Sequence, residues 1–359
     1  MPYKLNGDIK LKLCIRCIMP DTVPGLTFDE SGVCQFCKEY QESKPLGREA
    51  LDAVAKQTRD DRLPYDCLVP LSGGRDSTFA LYFAKKILKR KVLAVSFDNE
   101  FQTPEAIKNM SVACERLGVE FKSIGSRKGY FKKIVKETLK SAPSLKQLSV
   151  CRACDVGIKS VVYRTALNYK IPLIIWGESQ YEKTMDMTPR ALNALRGLRS
   201  RYWKLLNPRF YLGEIFMFLF RRELRVPGNS SFSRRSPVLR DPAIKEVRLY
   251  DYIQWDREQI KNIIQNELGW TKPDDAVSTW KIDCSLFSLV NYEFFMLFGC
   301  SKAAFGYNRM INSKNMSRKI ALEQEQYMKE HYKEYIPELL TNTIGLSKKE
   351  AKRILELPK

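Results

Sequence analysis

The stretch of the sequence most able to do chemistry is a glycine turn, SGGRDS, at residues 72–77. It follows an apolar run at 66–71 and precedes a helix-like run at 76–90. Glycines let a backbone approach a ligand closely, and the free N–H groups at a helix start attract an anion. Ser72 and Ser77 add hydroxyl donors. The pattern predicts a loop that binds phosphate groups.

The loop lacks the lysine of a Walker A motif, GxxxxGK[ST]. Its SGGxDS pattern resembles the signature of the PP-loop ATP pyrophosphatases, which cleave ATP between the α and β phosphates and attach AMP to a carbonyl oxygen. The resemblance implies ATP and Mg²⁺ as cofactors. It implies catalytic roles for Asp76 and Ser77, with Asp76 near the Mg²⁺-bound pyrophosphate. The ATP-binding residues that we expect are Leu71, Ser72, Gly73, Gly74, Arg75, Asp76, Ser77, Asp98, Gly177 and Glu178.

Four cysteines near the N-terminus have the spacing of a metal site. Cys14 and Cys17 form one CxxC pair, and Cys34 and Cys37 form a second, with sixteen residues between the two pairs. Two such pairs predict a tetrahedral four-cysteine zinc site, in which four thiolates leave no open position for catalysis. A segment this short buries little core of its own, so we expect the zinc to stabilise its fold.

A second group of cysteines is less specific. Cys151 and Cys154 form a CxxC pair in a predicted loop before a helix, and Cys284 lies far downstream. The set resembles the cluster of thiolating PP-loop enzymes, which hold iron–sulfur or persulfide there, and would be a second metal or redox site. The alternative is a structural CxxC pair or a second zinc, with Cys284 at a helix start. Three further cysteines lie in apolar contexts and are expected in the core: Cys67, Cys114 and Cys300.

Strands and helices are predicted to alternate around the loop. The predicted strands are 66–71, 91–97, 119–124 and 171–176, and the predicted helices are 76–90, 104–117, 127–140 and 155–169. This alternation predicts an α/β fold with a doubly wound parallel sheet. Asp98 and the pair Gly177-Glu178 follow two of the strands, at the carboxyl edge where ligands bind in such sheets.

Composition divides the chain further. We expect a zinc-ribbon-like head at 1–46, a PP-loop ATP-binding domain at 47–180, a basic insert at 181–250 and a helical C-terminal domain at 251–359. Phe210–Phe220 is apolar but too short to span a bilayer. The N-terminus lacks the apolar segment of a secretory signal, and CxxC pairs favour a reducing compartment. We therefore expect a cytoplasmic protein.

The chain is strongly basic, with a formal net charge of +20, so we expect an anionic partner. Residues 190–240 hold twelve Arg or Lys and two Glu, which gives +10. This stretch could track RNA phosphates, a lipid-linked glycan or the anionic headgroups of a membrane, or its arginines could simply be solvated. The one histidine, His331, lies in a polar helical context, so we expect no Cys–His–Glu glutaminase in this chain.

Most of the chain resembles the N-acetyl sugar amidotransferase family. The shared features are the four-cysteine head, SGGRDS, CRACDVGIKS at 151–160, IPLIIWGES at 171–179 and the late segment 283–322. The resemblance implies conversion of an acetamido group on a nucleotide-linked or acidic sugar to an acetamidino group, in synthesis of bacterial surface glycans such as the lipopolysaccharide O-antigen. It implies a separate glutaminase and a cyclase-like subunit as partners that supply ammonia, a sugar-nucleotide substrate, and no stable nucleic-acid partner.

Two other functions fit parts of the sequence. A tRNA thiolation enzyme would share the loop, the cysteine-rich head and the basic charge, and it would need reactive thiolates at Cys151, Cys154 and Cys284. Amidination moves nitrogen and needs no sulfur chemistry. A nucleotide-sensing or scaffold protein with an inactive loop would also keep the fold. The intact loop residues argue against it: Ser72, Gly73, Gly74, Asp76 and Ser77.

Overall fold

The structure, a computed structural model, describes residues 11–126, 128–141, 147–182, 208–224, 241–272 and 281–356. Most of the predicted basic insert lies outside the described residues, and so does most of the basic stretch 190–240. Within the described ranges, no helix has both the length and the hydropathy that crossing a bilayer requires.

The centre of the fold is a five-stranded sheet in which every neighbouring pair runs parallel. The strands are β1 (Cys67–Pro70), β2 (Val92–Asp98), β3 (Glu120–Gly125), β4 (Leu173–Trp176) and β5 (Lys245–Arg248). Their order is β3-β2-β1-β4-β5. The strands that follow β1 in sequence are therefore added first on one side of it, as β2 and β3, and then on the other side, as β4 and β5. This is the doubly wound parallel sheet that the sequence predicts.

The edge strand β5 is a strand that the sequence analysis misses. It lies within the predicted basic insert 181–250 and pairs with β4 from Leu173 opposite Lys245 to Trp176 opposite Arg248. Three of its four residues are charged and exposed, and only Val247 is buried. A short charged strand is typical of a protected sheet edge, and it lacks the continuous apolar run by which central parallel strands are predicted.

Helices cover the sheet and form the C-terminal region, as predicted. They are α1 (Gln35–Lys38), α2 (Arg48–Gln57), α3 (Arg75–Tyr82), α4 (Pro104–Leu117), α5 (Tyr130–Ser141), α6 (Gln147–Asn168), α7 (Pro208–Glu223), α8 (Arg257–Leu268), α9 (Leu286–Phe298), α10 (Ala303–Asn312), α11 (Arg318–Glu338) and α12 (Lys348–Leu355). The ends follow local chemistry. Thr103 caps α4 by accepting from the Ala106 N–H, Gly118 ends it at φ +57°, and Ser347 and Glu350 form a capping box at the start of α12.

One predicted boundary is wrong. Cys151 and Cys154 were expected in a loop before a helix at 155–169, but α6 begins at Gln147 and includes both. A spacing of three residues is compatible with a helix, because side chains at i and i+3 lie on the same face. The CxxC spacing therefore does not require a loop.

The two faces of the sheet contribute to separate cores, because successive strand residues point to opposite sides. In β1, Val69 packs into the core shared with the head, α3, α4 and α8, whereas Leu68 packs into the core shared with α5, α6 and α11. The predicted core cysteines Cys67, Cys114 and Cys300 are all buried. Both faces of the central strands are thus covered, as expected of a parallel sheet.

Candidate active site and four-cysteine centre

The glycine loop lies where the winding of the sheet reverses. β1 pairs with β2 on one side and β4 on the other, and the loop leaves the carboxyl end of β1 between them. In doubly wound sheets this switch point is the ligand-binding crevice. Gly177, which follows β4, borders the loop directly. A Cβ atom on Gly177 would lie 2.7 Å from the carbonyl oxygen of Asp76, so only glycine fits there.

Gly73 requires its glycine for two reasons. Its φ is +78°, and an added Cβ would lie 2.2 Å from the carbonyl oxygen of Ala106 in α4. Its own carbonyl oxygen accepts hydrogen bonds from Trp270 Nε1 at 2.9 Å and from Asn109 Nδ2 at 3.3 Å. The loop is thus held against α4 and the segment that follows α8.

The serines predicted to bind phosphate are linked to each other. Ser72 Oγ and Ser77 Oγ are 3.1 Å apart, and the Ser72 N–H donates to Ser77 Oγ at 3.2 Å. Ser77 Oγ also contacts the carbonyl oxygen of Gly74 at 3.1 Å, at the start of α3. Two hydroxyls therefore meet at the start of α3, and a helix start is where free N–H groups favour an anion.

Asp76 is buried, and both of its carboxylate oxygens accept hydrogen bonds from Arg75. Arg75 Nε donates to Asp76 Oδ1 at 2.8 Å, and Arg75 Nη2 donates to Oδ2 at 3.1 Å. The guanidinium lies over the Trp255 ring, 4.8 Å from its centroid. This bidentate pair fixes the orientation of the carboxylate at the base of the loop. The assignment of Asp76 to the metal-bound pyrophosphate stays a prediction.

Three charged residues that the sequence analysis did not assign lie beside the loop. Asp283 Oδ2 would be 3.4 Å from a Cβ added to Gly74. Glu182 forms an ion pair with Lys281 and interacts electrostatically with Asp76 and Asp283. Burial raises the pKa of Glu182. Although burial lowers the pKa of Lys281, the carboxylates of Glu182 and Asp283 raise it overall.

The two remaining predicted carboxylates lie at the rim of the crevice. Asp98 Oδ1 accepts from the N–H of Glu100 at 2.8 Å, which shapes the turn after β2. Glu178 is about half exposed and faces Arg248 of β5 at 3.8 Å. Neither contacts the loop through a described hydrogen bond, so their ATP-binding roles stay predictions.

Two of the three cysteines of the proposed second site, Cys154 and Cys284, meet at Asn99. Asn99 Nδ2 lies 3.6 Å from Cys154 Sγ and 3.6 Å from Cys284 Sγ, and Cys284 interacts electrostatically with Cys151. Burial is the main cause that raises the pKa of Cys154. It is also the main cause that raises the pKa of Cys284, to about 12. Burial thus disfavours the thiolate form of both side chains. Asn99 follows β2, so this cluster borders the same crevice.

The four head cysteines form a compact centre. The sulfurs of Cys14, Cys17, Cys34 and Cys37 all lie within 4.8 Å of one another, and among the described residues this is the only such group of metal-ligating side chains. Cys14 and Cys37 sulfurs are 4.0 Å apart, and those of Cys17 and Cys34 are 3.6 Å apart. Sulfurs at about 2.3 Å from a tetrahedral zinc would be roughly 3.8 Å apart. The donor set and its geometry therefore fit a metal ion.

The C-terminal helices supply contacts around this centre that the sequence analysis did not anticipate. Asn308 Nδ2 and Asn312 Nδ2, both in α10, each lie 3.2 Å from Cys37 Sγ. Arg318 donates to the carbonyl oxygens of Cys17 at 2.7 Å and Cys14 at 3.2 Å. Amide donors to the Cys37 sulfur stabilise the thiolate that a metal requires.

The same helix reaches the crevice. Arg309 Nη1 of α10 donates to the carbonyl oxygen of Gln180 at 2.9 Å, and Tyr181 Oη contacts Ser313 Oγ at 3.1 Å. Gln180–Glu182 is a single helical turn after β4, and it ends at the carboxylate that pairs with Lys281. α10 therefore lies between the cysteine centre and the crevice and contacts both.

Comparisons with known proteins support the loop's class. Residues 51–149 match the family model described as NAD synthase. No curated protein matches the chain. Solved structures with a similar arrangement include the U34-tRNA thiolase NcsA from Methanococcus maripaludis with its [4Fe-4S] cluster, at 14% identity and a TM-score of 0.38 over 89% of this chain and 88% of that one.

Two further solved structures are similar over different lengths. NMN synthetase from Francisella tularensis is 11% identical, with a TM-score of 0.38, over 83% of this chain and 94% of that one. NH3-dependent NAD synthetase from Campylobacter jejuni subsp. jejuni NCTC 11168 is 14% identical, with a TM-score of 0.30, over 49% of this chain and 91% of that one. These scores carry no information on the substrate of this chain.

The class of the domain follows from the loop, the sheet and the family match together. The loop has the SGGxDS pattern and lies at the switch point of a parallel sheet, and the NAD synthase match extends from α2 across β1, β2 and β3. The chain therefore carries an α/β domain of the PP-loop superfamily, similar to NAD synthase over residues 51–149, joined to a four-cysteine centre and a helical C-terminal region.

Proposed function

We propose that this chain is an AMP-forming amidotransferase that converts an acetamido group on a nucleotide-linked or acidic sugar to an acetamidino group. The observation that carries the ATP step is the lysine-free loop at the switch point, where Ser72, Ser77 and the start of α3 converge on one side. The match to NAD synthase, a family of ATP-using ligases, supports the same class of reaction.

The proposed reaction suits an unreactive amide. The amide oxygen attacks the α-phosphorus of ATP, the bond to the β-phosphate breaks, and pyrophosphate leaves. Ammonia then adds to the activated carbon and loses a proton, and the C–O bond breaks to release AMP. Adenylation is needed because an amide oxygen is otherwise a poor leaving group.

Residues beside the loop would assist the charges that develop. Donors aimed at developing charge contribute most when they are already oriented, and the loop serines are fixed by hydrogen bonds to Gly74 and to each other. Mg²⁺, when bound, would neutralise phosphate charge, and the carboxylates of Asp283 and Asp76 are oxygen donors suited to it. Lys281 would keep its positive charge near the crevice because Glu182 and Asp283 stabilise it.

The ammonia would come from another protein. A class I glutaminase needs a histidine in its triad, and the sequence has only His331. That ring lies on α11 between Tyr327 and Tyr335, stacked 5.5 Å from each, so it is part of an aromatic row on one helix face. We therefore propose a separate glutaminase with a cyclase-like subunit as the partners, and the isolated chain should use ammonium but not glutamine.

The sugar acceptor rests on the resemblance of most of the chain to the N-acetyl sugar amidotransferases, and surface-glycan synthesis is part of the same proposal. The cysteine cluster adds a physical argument. The nucleophile in sulfur transfer is a thiolate or persulfide, and burial raises the pKa of Cys154 and Cys284, which disfavours the thiolate. Nitrogen transfer has no such requirement.

tRNA thiolation is the second candidate, and one observation favours it. Cys154 and Cys284 both contact Asn99 at the rim of the crevice, so a CxxC pair and a distant cysteine are close together in the fold. A bound metal or cluster would deprotonate these thiols and cancel the argument from burial. The cysteines therefore provide the test.

The deciding experiment compares two acceptors and two cysteine variants. The purified chain is given ATP with either ammonium and a UDP-linked acetamido sugar, or sulfide and tRNA, and AMP, pyrophosphate and modified acceptor are measured. Cys284→Ala should retain amidine formation within about threefold, because nitrogen transfer does not use its sulfur. Cys114→Ala, a buried cysteine elsewhere in the fold, controls for lost packing.

Two results would reject the proposal. Release of ADP and phosphate would exclude the AMP-forming class altogether. Activity restricted to tRNA and sulfide, lost in Cys284→Ala but kept in Cys114→Ala, would retain the class and assign the chain to thiolation.

A further inference from the structure

Helix α7 is apolar on two opposite sides. Its inner side is anchored in the fold, where Phe220 is fully buried with ring centroids 5.9 Å from Phe97 and 6.0 Å from Phe131. Its outer side exposes large apolar side chains: Leu212 is 44% exposed and Ile215 is 51% exposed. Side chains three residues apart share a helix face, so these two form one stripe. A helix held firmly on one side presents this stripe in a defined orientation.

Positive charge borders the apolar stripe. Phe218, which is 50% exposed, continues the stripe toward the C-terminal end of α7. Arg222, also exposed, follows Phe218 by four residues and places a positive charge at that end of the stripe. Lys133 of the neighbouring α5 places its ammonium 5.8 Å from the centroid of the Phe216 ring. Glu223 turns inward instead, and its carboxylate accepts from Ser126 Oγ at 2.7 Å. Cations at the edge of an apolar stripe are the arrangement of a helix that lies in a lipid interface.

The sequence around α7 adds further positive charge. α7 lies inside residues 190–240, where twelve Arg or Lys and two Glu give a net +10, half of the charge of the whole chain. Basic residues next to an interfacial helix attract anionic headgroups, each contributing favourably within a Debye length of the surface. The helix itself is about 24 Å long at 1.5 Å per residue, and one side of it is occupied by protein, so it would lie along a membrane rather than cross it.

We propose that the outer side of α7, with Lys133 and Arg222 beside it, docks on the surface of an anionic phospholipid bilayer. Exposed aliphatic side chains distinguish this from RNA binding. RNA is bound through phosphate contacts together with aromatic stacking or polar contacts to bases; in the stripe Phe218 could stack, whereas Leu212 and Ile215 offer neither kind of contact. The acyl boundary of a membrane buries such side chains favourably. The inference does not depend on which acceptor the enzyme uses.

Vesicle sedimentation of the full chain tests the proposal. The chain should bind vesicles of equal phosphatidylcholine and phosphatidylglycerol and bind pure phosphatidylcholine much less, with binding to the anionic vesicles weakened by salt. Leu212→Glu combined with Ile215→Glu should weaken binding about tenfold or more. Ile320→Glu, at an isoleucine 41% exposed on α11, should bind as the unaltered chain does.

Three results would overturn the inference. The chain could fail to bind anionic vesicles, or the double variant could bind them as tightly as the unaltered chain. It could also bind a single-stranded RNA oligonucleotide with no affinity for vesicles, which would assign the basic stretch to RNA. All of these residues are on the surface, so melting temperature and ATP consumption in solution should be equal among the variants.

Discussion

Trp270 donates its indole N–H to the carbonyl oxygen of Gly73, at 2.9 Å, across 197 positions of sequence. The residue that follows it, Thr271, is joined to the same region, because its N–H donates to Asn109 Oδ1 at 3.0 Å and Asn109 Nδ2 also reaches Gly73. The shape of the phosphate loop thus depends on the C-terminal region as well as on its own glycines.

Trp270→Phe should loosen the loop. The ring would still fill its buried place, but Gly73 would lose one of its hydrogen bonds, at a cost of about 1 kcal/mol in the free energy of unfolding. We expect KM for ATP to rise several-fold, while the products remain AMP and pyrophosphate. Pyrophosphate release over a range of ATP concentrations measures this.

Trp255→Phe is the matched control. Trp255 and Trp270 are both 2% exposed, but Trp255 Nε1 has no hydrogen-bond partner among the described residues. Its replacement keeps an aromatic ring against Arg75 and removes no hydrogen bond. Equal effects of the two substitutions on KM would mean that the Gly73 contact does not shape the loop.

Gly73→Ala should damage the site far more than an ordinary glycine substitution. An added methyl group would meet the backbone of α4 at 2.2 Å, and backbone cannot move aside as a flexible side chain can. Gly118→Ala isolates the cost of the backbone angle, because its φ is also positive, at +57°, with nothing within 4 Å of the added carbon. We expect about 1 kcal/mol for Gly118→Ala, and a larger loss together with lost ATP binding for Gly73→Ala. Thermal melts with and without ATP separate the two.

The asparagines beside Cys37 should tune metal affinity. Cys17→Ser should lose the metal and destabilise the head, because it removes a ligand. Asn308→Ala and Asn312→Ala should instead lower affinity by about 10- to 100-fold, since each removes a donor to the Cys37 sulfur. Competition with a chelator, read as metal content, gives the affinities.

Asn315→Ala serves as the control for this series. Asn315 Nδ2 donates to Tyr181 Oη at 2.8 Å and makes no described contact with a cysteine. Its replacement should leave metal affinity unchanged. If zinc content were the same in Cys17→Ser as in the unaltered chain, the four-cysteine centre would not be the metal site.

Glu325 should make stability depend on pH. It accepts from the N–H and the hydroxyl of Ser301, and burial raises its pKa to about 7. The folded state therefore binds a proton that the unfolded state has released between about pH 4.5 and pH 7, so stability falls as pH rises through this window. Above it, the loss is on the order of 3 kcal/mol.

Glu325→Gln removes the titration while keeping an oxygen that can accept from Ser301. Its free energy of unfolding relative to the unaltered chain should rise from pH 5 to pH 8. Urea denaturation at several pH values measures this difference. A difference that is constant across the range would show that Glu325 does not titrate there.

Sequence patterns predict the parts of this fold that depend on local chemistry. The apolar runs locate β1 to β4, Gly118 and Gly269 end α4 and α8, and the capping box of Ser347 and Glu350 starts α12. The loop is predictable because its glycines and serines are adjacent in sequence. Its neighbourhood is not: Asp283 and Trp270 reach it from about two hundred residues away, and no local pattern indicates which distant residue will meet it.

The features that the sequence does not predict also depend on contacts between distant residues. β5 carries too much charge to be recognised as a strand, and its pairing with β4 is decided by tertiary structure. The cysteine spacing of α6 fits a helix as well as a loop, and only the fold brings Cys154 and Cys284 to Asn99. Asn308 and Asn312 carry no signal in the sequence, and their role is evident only once α10 is seen to lie against Cys37.

The contacts of α10 and Arg318 with the head have a consequence for the order in which the protein is made. The four cysteines leave the ribosome first, but Asn308 follows Cys37 by 271 residues and Arg318 follows Cys17 by 301. At roughly 5–20 residues per second, the head waits about a quarter of a minute to a minute for them. A metal that binds the head during synthesis would therefore bind four cysteines whose outer contacts are still missing.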